Sequence, residues 1–150
     1  MSENVTVRCA CLEDIDKMIG VLSELFEMEK VEVNIENIRK AYTMLINDRE
    51  NACVKVVFVD GELAGMCQAQ TYVSTSAGSR VAYIEDMVIH SRFRRLGLGA
   101  RLLEAVEDCC RRLGCFRLML HTLPDNAPAM KFYIKNGWSP EDLVCMSKPL

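Results

Sequence analysis

Between Val81 and Leu113 the hydrophobic period of the chain changes once, and that change restricts the folds open to it. Val81–Ile89 is apolar and rich in β-branched residues, and reads as a strand. Leu98, Leu102, Val106, Cys109 and Leu113 then recur at the spacing of one helix face. The turn between them carries Arg92, Arg94 and Arg95, with glycines at 97 and 99. A strand followed by a helix that must pack back onto its sheet commits the chain to an α/β fold. The first amides of a helix have no acceptor inside it, and its N-terminus carries roughly half a positive charge, so such a turn suits an anion. No GxxxxGKS/T run is present. A dinucleotide fingerprint fails as well, because Gly97-Leu98-Gly99-Ala100-Arg101-Leu102 puts leucine where close helix–strand packing needs glycine or alanine. Taken alone, the two glycines fit a tight turn as well as a phosphate site.

The rest of the chain extends the pattern. Val5–Cys9 alternates as a strand, and Leu12–Met28 carries a helical stripe. Asn34 is placed to cap a helix running through Ile46. Cys53–Val59 and Leu63–Val73 read as strands joined by an Asp60-Gly61 hairpin. Ser74–Ser79 is a polar loop. Gly114 ends the helix begun at Leu98, and Phe116–Leu120 is a further strand. Asn126 is placed to cap Ala127–Lys135, with Pro128 in the first turn. Asn136-Gly137 closes that helix, and Leu143–Met146 reads as a last short strand. The predicted order is β-α-α-β-β-β-α-β-α-β, a single domain over residues 1–150, without repeat or linker.

Composition narrows the function classes. The net charge is −3 and no basic tail exists, which argues against general nucleic-acid binding. No apolar run approaches the ~18 residues of a membrane span. The first thirty residues carry charges throughout, unlike a signal peptide. Eight cysteines stand at 9, 11, 53, 67, 109, 110, 115 and 145, without a CxxC pair and with only His90 and His121 beside them, so no metal is expected. Most lie in apolar runs, where a thiol behaves as a small hydrophobe. These features predict a reduced, cytoplasmic protein. Residues 1–75 hold 13 acids against 7 bases, and residues 76–150 hold 8 against 11. Such asymmetry suits an enzyme that joins an anionic cofactor to a cationic substrate, and equally suits solvated faces of separate elements.

Two motifs make the anion site specific. Arg94-x-x-Gly97-x-Gly99 resembles the Gln/Arg-x-x-Gly-x-Gly/Ala loop of the GCN5-related N-acetyltransferase (GNAT) superfamily. Tyr83-Ile84-Glu85-Asp86-Met87-Val88-Ile89 resembles that family's fourth strand. Asn126-x-x-Ala129-x-x-Phe132-Tyr133-x-x-x-Gly137-Trp138 resembles its second cofactor motif, with Trp138 where phenylalanine is usual. The resemblance implies a mixed, mostly antiparallel sheet of six to seven strands flanked by helices, its parallel fourth and fifth strands splayed apart. It implies acetyl-CoA as co-substrate and direct acetyl transfer to an amine. Arg94, Arg95, Leu96, Gly97, Leu98, Gly99 and Ala100 would form the pyrophosphate loop, with the amides from Arg95 onward on the phosphates. Met87, Val88 and Ile89 would run beside the pantetheine arm, a backbone amide near Met87 or Val88 facing the thioester oxygen. Tyr133 would be the general acid and touch the cofactor, and Asn126 would touch the cofactor or merely cap its helix.

An alkyl amine with pKa near ~10.4 is almost wholly protonated at neutral pH, so a base is useful. Glu85 matches a position where several family members carry a glutamate base, and its alternative role is an exposed strand residue. Asp86, one residue on, is expected on the opposite strand face. His121, at a strand end, is a further substrate contact or a surface imidazole. No cysteine sits at a helix N-terminus beside a histidine, so a covalent acyl-cysteine route has no support. In relatives the acceptor side comes from the regions matching 20–40 and 73–80. Glu24, Glu27, Glu29, Glu32 and Glu36 lie there and suggest a small cationic amine, such as a polyamine or basic amino acid. The stretches Tyr83–Ile89 and Gly114–Leu118 also resemble the amino-sugar-phosphate branch, and peptide N-termini remain open as acceptors. A non-catalytic CoA-sensing module and a dinucleotide-binding protein are the rival readings. Thirteen residues follow Gly137, where relatives often have two strands, so a strand is missing, short or supplied by a partner chain, and a homodimer is expected.

Overall fold

The sequence Ala-Cys-Val-Lys-Val-Val-Phe-Val is apolar on both of its alternating faces, and such a strand is stable only when covered on both sides. β2 (Ala52–Val59) is buried at every position and lies inside the sheet, between β1 (Val5–Cys9) and β3 (Glu62–Ser74). The structure, a computed structural model, describes residues 4–150. Its sheet has the order β1-β2-β3-β4-β5, where β4 is Ser79–Ile89 and β5 is Cys115–Leu120. The first four strands pair antiparallel, and β5 runs parallel to β4. The Asp60-Gly61 turn joins β2 to β3 as expected.

Side-chain alternation splits the core into two layers. Val54, Val56 and Phe58 of β2, with Met66 of β3, pack against Met18 and Leu22 of α1 (Ile15–Glu29) and Tyr42 and Ile46 of α2 (Ile35–Asn47). Cys53, Lys55 and Val57 point the other way, toward α3 (Leu98–Arg112), which buries Leu98, Leu102, Val106 and Cys110. Burying one leucine or methionine of either layer is worth ~1.5–3 kcal/mol.

Local chemistry sets the helix starts. Asn34 Oδ1 accepts from the Glu36 and Asn37 amides at 2.9 and 3.2 Å and starts α2, as its position predicts. A 3-10 turn over Leu12–Asp14 precedes α1, so the helix begins later than its stripe suggests. There the buried Asp14 carboxylate takes a two-pronged bond from Arg8 at 2.7 and 2.9 Å and a third from the Cys11 amide at 2.9 Å. Arg8 and the Cys11 contacts outweigh burial and hold Asp14 down to about 2.

The chain forms two compact units, one ending at Met119 and one spanning Leu120–Leu150. The second contains α4 (Ala127–Lys135), whose first turn holds Pro128. Two expectations are corrected. Among the described residues the sheet has five strands, not six or seven. Leu143–Met146 is not a strand: the Leu143 amide turns back to the Glu141 carbonyl at 3.0 Å, and Leu143 and Val144 are exposed. Alternating apolar residues make a strand only where a neighbouring strand takes up their backbone groups, and no such neighbour lies beside this segment among the described residues.

Candidate active site

The basic turn after β4 is built as an anion cradle. Arg95 and Gly97 both have positive φ, 68° and 73°, and Gly97 is the residue on which α3 starts. Backbone that alternates into the left-handed region turns successive N–H groups toward one point. Among the described residues, the amides of Arg95, Gly97, Leu98, Gly99 and Ala100 donate to no backbone carbonyl, while Leu96 closes the turn over Arg94 and Arg95; the next amide, of Arg101, returns to the Gly97 carbonyl. A Cβ on Gly97 would meet nothing within 4 Å, so it is the positive φ, not crowding, that favours glycine there. Arg94, Arg95 and Leu96 are exposed around the turn. Partnerless amides, a helix start and nearby guanidinium groups together suit a diphosphate.

Glu24 of α1 holds this turn in place from 67 residues away. It accepts from the Ser91 amide and hydroxyl, each at 2.8 Å, and lies 3.3 Å from His90 Nε2 and 3.6 Å from Arg94 Nη2. Burial pushes the Glu24 carboxyl up, but the Ser91 bonds and the His90 and Arg94 charges outweigh it and hold it below the ordinary range. Arg94 Nε also donates to the Ile89 carbonyl at 3.1 Å, tying the turn to the end of β4. The sequence placed Glu24 among acids facing a cationic substrate; in the structure it anchors the loop.

β4 itself is irregular where it matters. Cys67 pairs with Met87 and Ala69 with Ile84, so Gln68 alone stands opposite both Glu85 and Asp86. Two residues against one is a β-bulge, and it breaks the alternation of side chains. The expectation that Asp86 leaves on the opposite face from Glu85 is therefore overturned: both carboxylates interact with the side chain of Gln68. Gln68 Nε2 and Gln70 Nε2 donate to Glu85 Oε2 at 3.3 and 3.5 Å. Asp86 accepts a 2.5 Å hydrogen bond from the Tyr42 hydroxyl of α2. Burial pushes the Asp86 carboxyl up, the Tyr42 bond works against this, and the Glu85 charge adds to it; the result lies above the ordinary carboxylate range. Glu29 is also raised, by burial and by the Asp86 charge. Glu85 remains exposed.

The three residues after the bulge, Met87, Val88 and Ile89, pair with Cys67, Met66 and Gly65 of β3, and β4 has β5 on its other side. Gly65 is needed for this fit: a Cβ there would lie 2.7 Å from the Val88 carbonyl oxygen and against the Ile89 side chain.

In the second unit, Asn126 Oδ1 accepts from the Ala129 amide at 3.3 Å, so the capping role expected of Asn126 is realised. Tyr133 packs edge-on against Phe132, with ring centres 5.2 Å apart, and lies 5.6 Å from Trp138. A surface hollow of about 550 Å³ between α1 and the β2–β3 hairpin, lined by Lys17, Gly61, Glu62 and His90, includes neither carboxylate of the bulge and none of the turn's amides.

Sequence reasoning missed Tyr42, Gln68 and Gln70 as site residues. Two glutamines spaced by two in an otherwise apolar strand were a legible signal, since they place amide groups on one face of the sheet. Nothing local marks Tyr42, which reads as one more residue of an apolar helix face.

The likenesses to known proteins are consistent with this geometry. Thialysine N-epsilon-acetyltransferase of Caenorhabditis elegans is 31% identical over 120 residues, covering 79% of this chain and 72% of that one. The crystal structure of glucosamine-6-phosphate N-acetyltransferase from Arabidopsis thaliana matches with a TM-score of 0.79 at 25% identity, covering 98% of this chain and 99% of that one. An aminoglycoside N-acetyltransferase in complex with CoA shares the fold, with a TM-score of 0.87 at 17% identity over 99% of this chain and 97% of that one. With the acetyltransferase (GNAT) family model matching residues 13–138, over the turn, the bulged strand and α4 alike, the chain belongs to that family.

Proposed function

We propose that this protein is an acetyl-CoA-dependent N-acetyltransferase that acetylates a primary amine of a small molecule by direct attack. The observation that carries the reading is the set of amides at Arg95, Gly97, Leu98, Gly99 and Ala100 without a backbone acceptor, set in a turn with positive φ at Arg95 and Gly97. The residues present fit the cofactor's diphosphate: main-chain donors, a helix start, and Arg94 and Arg95 at the rim. The cofactor supplies a thioester, the activated acyl group. Met87, Val88 and Ile89 guide its pantetheine arm along β4, and a backbone amide at Met87 or Val88 donates to the developing oxyanion. One such donor is worth ~2.7–4 kcal/mol in acyl transfer.

Glu85 takes a proton from the acceptor ammonium, directly or through water, to leave the neutral amine that attacks, while Gln68 and Gln70 orient its carboxylate. Asp86, held by Tyr42, adds negative charge behind it and attracts the cationic acceptor. Tyr133 returns a proton to the leaving thiolate, and Asn126 touches the cofactor from the start of α4. The named relatives act on lysine-like or sugar amines, and the Glu29, Glu85 and Asp86 carboxylates favour an acceptor carrying positive charge, a polyamine, basic amino acid or amino sugar. No metal takes part in this scheme. The chain acts as one catalytic domain in the cytoplasm, the compartment its cysteine pattern favours. No helix among the described residues is long and apolar enough to cross a membrane. The exposed Leu143 and Val144 support a homodimer that covers them.

The deciding experiment follows thiol release from acetyl-CoA across a panel of polyamines, amino acids, amino sugars and peptides. Turnover on a small amine is expected. Turnover on peptides alone would shift the reading to a protein acetyltransferase. CoA binding without turnover on any amine would leave a sensing module on the same fold.

A further inference from the structure

The face of the sheet that carries α3 holds a pair of groups the acetyl-transfer chemistry does not use. Lys55 points into this layer from the middle of β2 and is only 8% exposed. A buried ammonium needs a partner that carries charge or accepts its hydrogen bonds. Among the described residues no carboxylate lies within ion-pair distance of Lys55, and its Nζ donates to one atom, Cys9 Sγ, at 3.1 Å. The register of the sheet produces this contact: Cys9 of β1 and Lys55 of β2 stand directly opposite each other. Opposed residues of an antiparallel pair share one face, with Cβ atoms ~4.5–5.5 Å apart. The flexible four-carbon stem of the lysine then carries its nitrogen onto the sulfur.

The two members of the pair differ in access. β1 is the edge of the sheet and Cys9 is exposed, whereas Lys55 is buried. A small oxidant in solvent therefore reaches the sulfur, and the nucleophile in contact with that sulfur is the Lys55 nitrogen. Burial by itself pushes the Lys55 ammonium toward the neutral amine; the Cys9 bond, with the charge of other cysteines, outweighs burial and holds Lys55 above its ordinary range. Cys9 supplies the largest share of that support. Conversion of its sulfur to a neutral sulfenic acid withdraws it, and burial then favours release of the proton that masks the nitrogen. Cys145 is the internal contrast: it is exposed as well, and among the described residues no amine hydrogen-bonds its sulfur.

We propose that Cys9 and Lys55 are a redox modification site, at which a hydroperoxide oxidises Cys9 and the Lys55 amine captures the product as a reversible sulfenamide that ties the edge strand β1 to β2. The thiolate form of Cys9 attacks one peroxide oxygen and the O–O bond breaks. With hydrogen peroxide the departing hydroxide takes a proton from solvent to become water, leaving a sulfenic acid on Cys9. Lys55 gives one proton to solvent, and the lone pair of its neutral amine attacks the Cys9 sulfur. The S–O bond breaks, an S–N bond forms, and the hydroxyl leaves as water with a second proton from the nitrogen. The sulfur has given up two electrons, and the peroxide has accepted them. Condensation of a sulfenic acid with a nitrogen is an established fate of oxidised cysteine, and a thiol reductant reverses it.

The test uses the intact protein. After treatment with stoichiometric hydrogen peroxide, free thiols are alkylated and the digest is mapped by tandem mass spectrometry, which separates Cys9 from Cys11 on their shared peptide. The expected product joins the Cys9 and Lys55 peptides, is two hydrogens lighter than the reduced peptides together, and is undone by dithiothreitol. Cys9 recovered unreacted, in a disulfide, or as a sulfinic or sulfonic acid with Lys55 unmodified overturns the proposal. Trapping with dimedone, which labels sulfenic acid, gives a second readout, taken relative to Cys145 in the same sample. Lys55→Arg keeps the positive charge, but its guanidinium stays protonated and cannot capture the sulfur. Lys55→Met removes both the charge and the nucleophile. In each variant the link should be absent and the dimedone label on Cys9 should rise several-fold over wild type; labelling equal to wild type in both variants overturns the capture step.

Discussion

Gly97→Glu isolates the anion cradle from the rest of the fold. At φ 73° any L-residue is strained, which costs ~1–2 kcal/mol of stability. Because a Cβ at 97 meets nothing within 4 Å, no clash adds to that cost, and the variant should fold. Its carboxylate then projects where we propose that the diphosphate binds. Two unit charges 4 Å apart repel by ~1 kcal/mol in bulk water and ~4 kcal/mol near a protein surface. CoA affinity should therefore fall by about 5-fold to 1000-fold. Asparagine tolerates the left-handed region and is neutral, so Gly97→Asn should keep most of the stability and lose far less affinity. Calorimetric titration of CoA into the three proteins, repeated at higher salt, separates charge from strain, since screening recovers only the electrostatic part. Urea unfolding of the same samples measures the strain directly. If Gly97→Glu binds CoA within about twofold of wild type, the diphosphate does not lie on these amides.

The other expectations follow from particular contacts. Asp14 sits below its usual pKa of 3.8, at about 2, so its interactions stabilise the fold above the unfolded value and are lost as pH falls from about 4 to about 2. Asp14→Asn should cost on the order of 2 kcal/mol at pH 7 and nothing further below pH 2; an equal cost at both would refute the ionic assignment. Asp86 has the opposite sign. Its carboxyl is raised, so the stability it contributes is present below the unfolded pKa and is lost as pH rises through the folded one. Tyr42→Phe removes its donor, should cost ~1–3 kcal/mol, and should shift that loss to higher pH; unfolding curves of unchanged pH dependence would sink the pairing. Tyr133→Phe should lower kcat on the accepted amine while leaving CoA affinity unchanged, and undiminished turnover would free Tyr133 of the acid role.

What could be read along the chain was local. Asn34 and Asn126 cap helices because each side chain bonds amides two or three residues on. Asp60-Gly61 turns the chain between two apolar runs for a similarly short-range reason. The turn after residue 93 was recognisable because its arginines and glycines fall within six residues, and their chemistry needs no distant partner to be suggested. Leu143–Met146 shows the limit. Its alternation is that of a strand, but a ladder needs a neighbour, and composition along one segment says nothing of that.

The decisive features of the site depend on residues far apart. The bulge at Glu85 and Asp86 exists because Gln68 alone faces both, a matter of register between strands that no window on β4 contains. Tyr42 meets Asp86 across 44 residues, and Glu24 meets Ser91 across 67. Helix caps, turns and the anion loop follow from the order of residues, since backbone geometry and near neighbours suffice to form them. Which carboxylate and which hydroxyl stand together was decided by tertiary packing, because those contacts form only when the sheet's register and the placement of its helices bring distant side chains to one point.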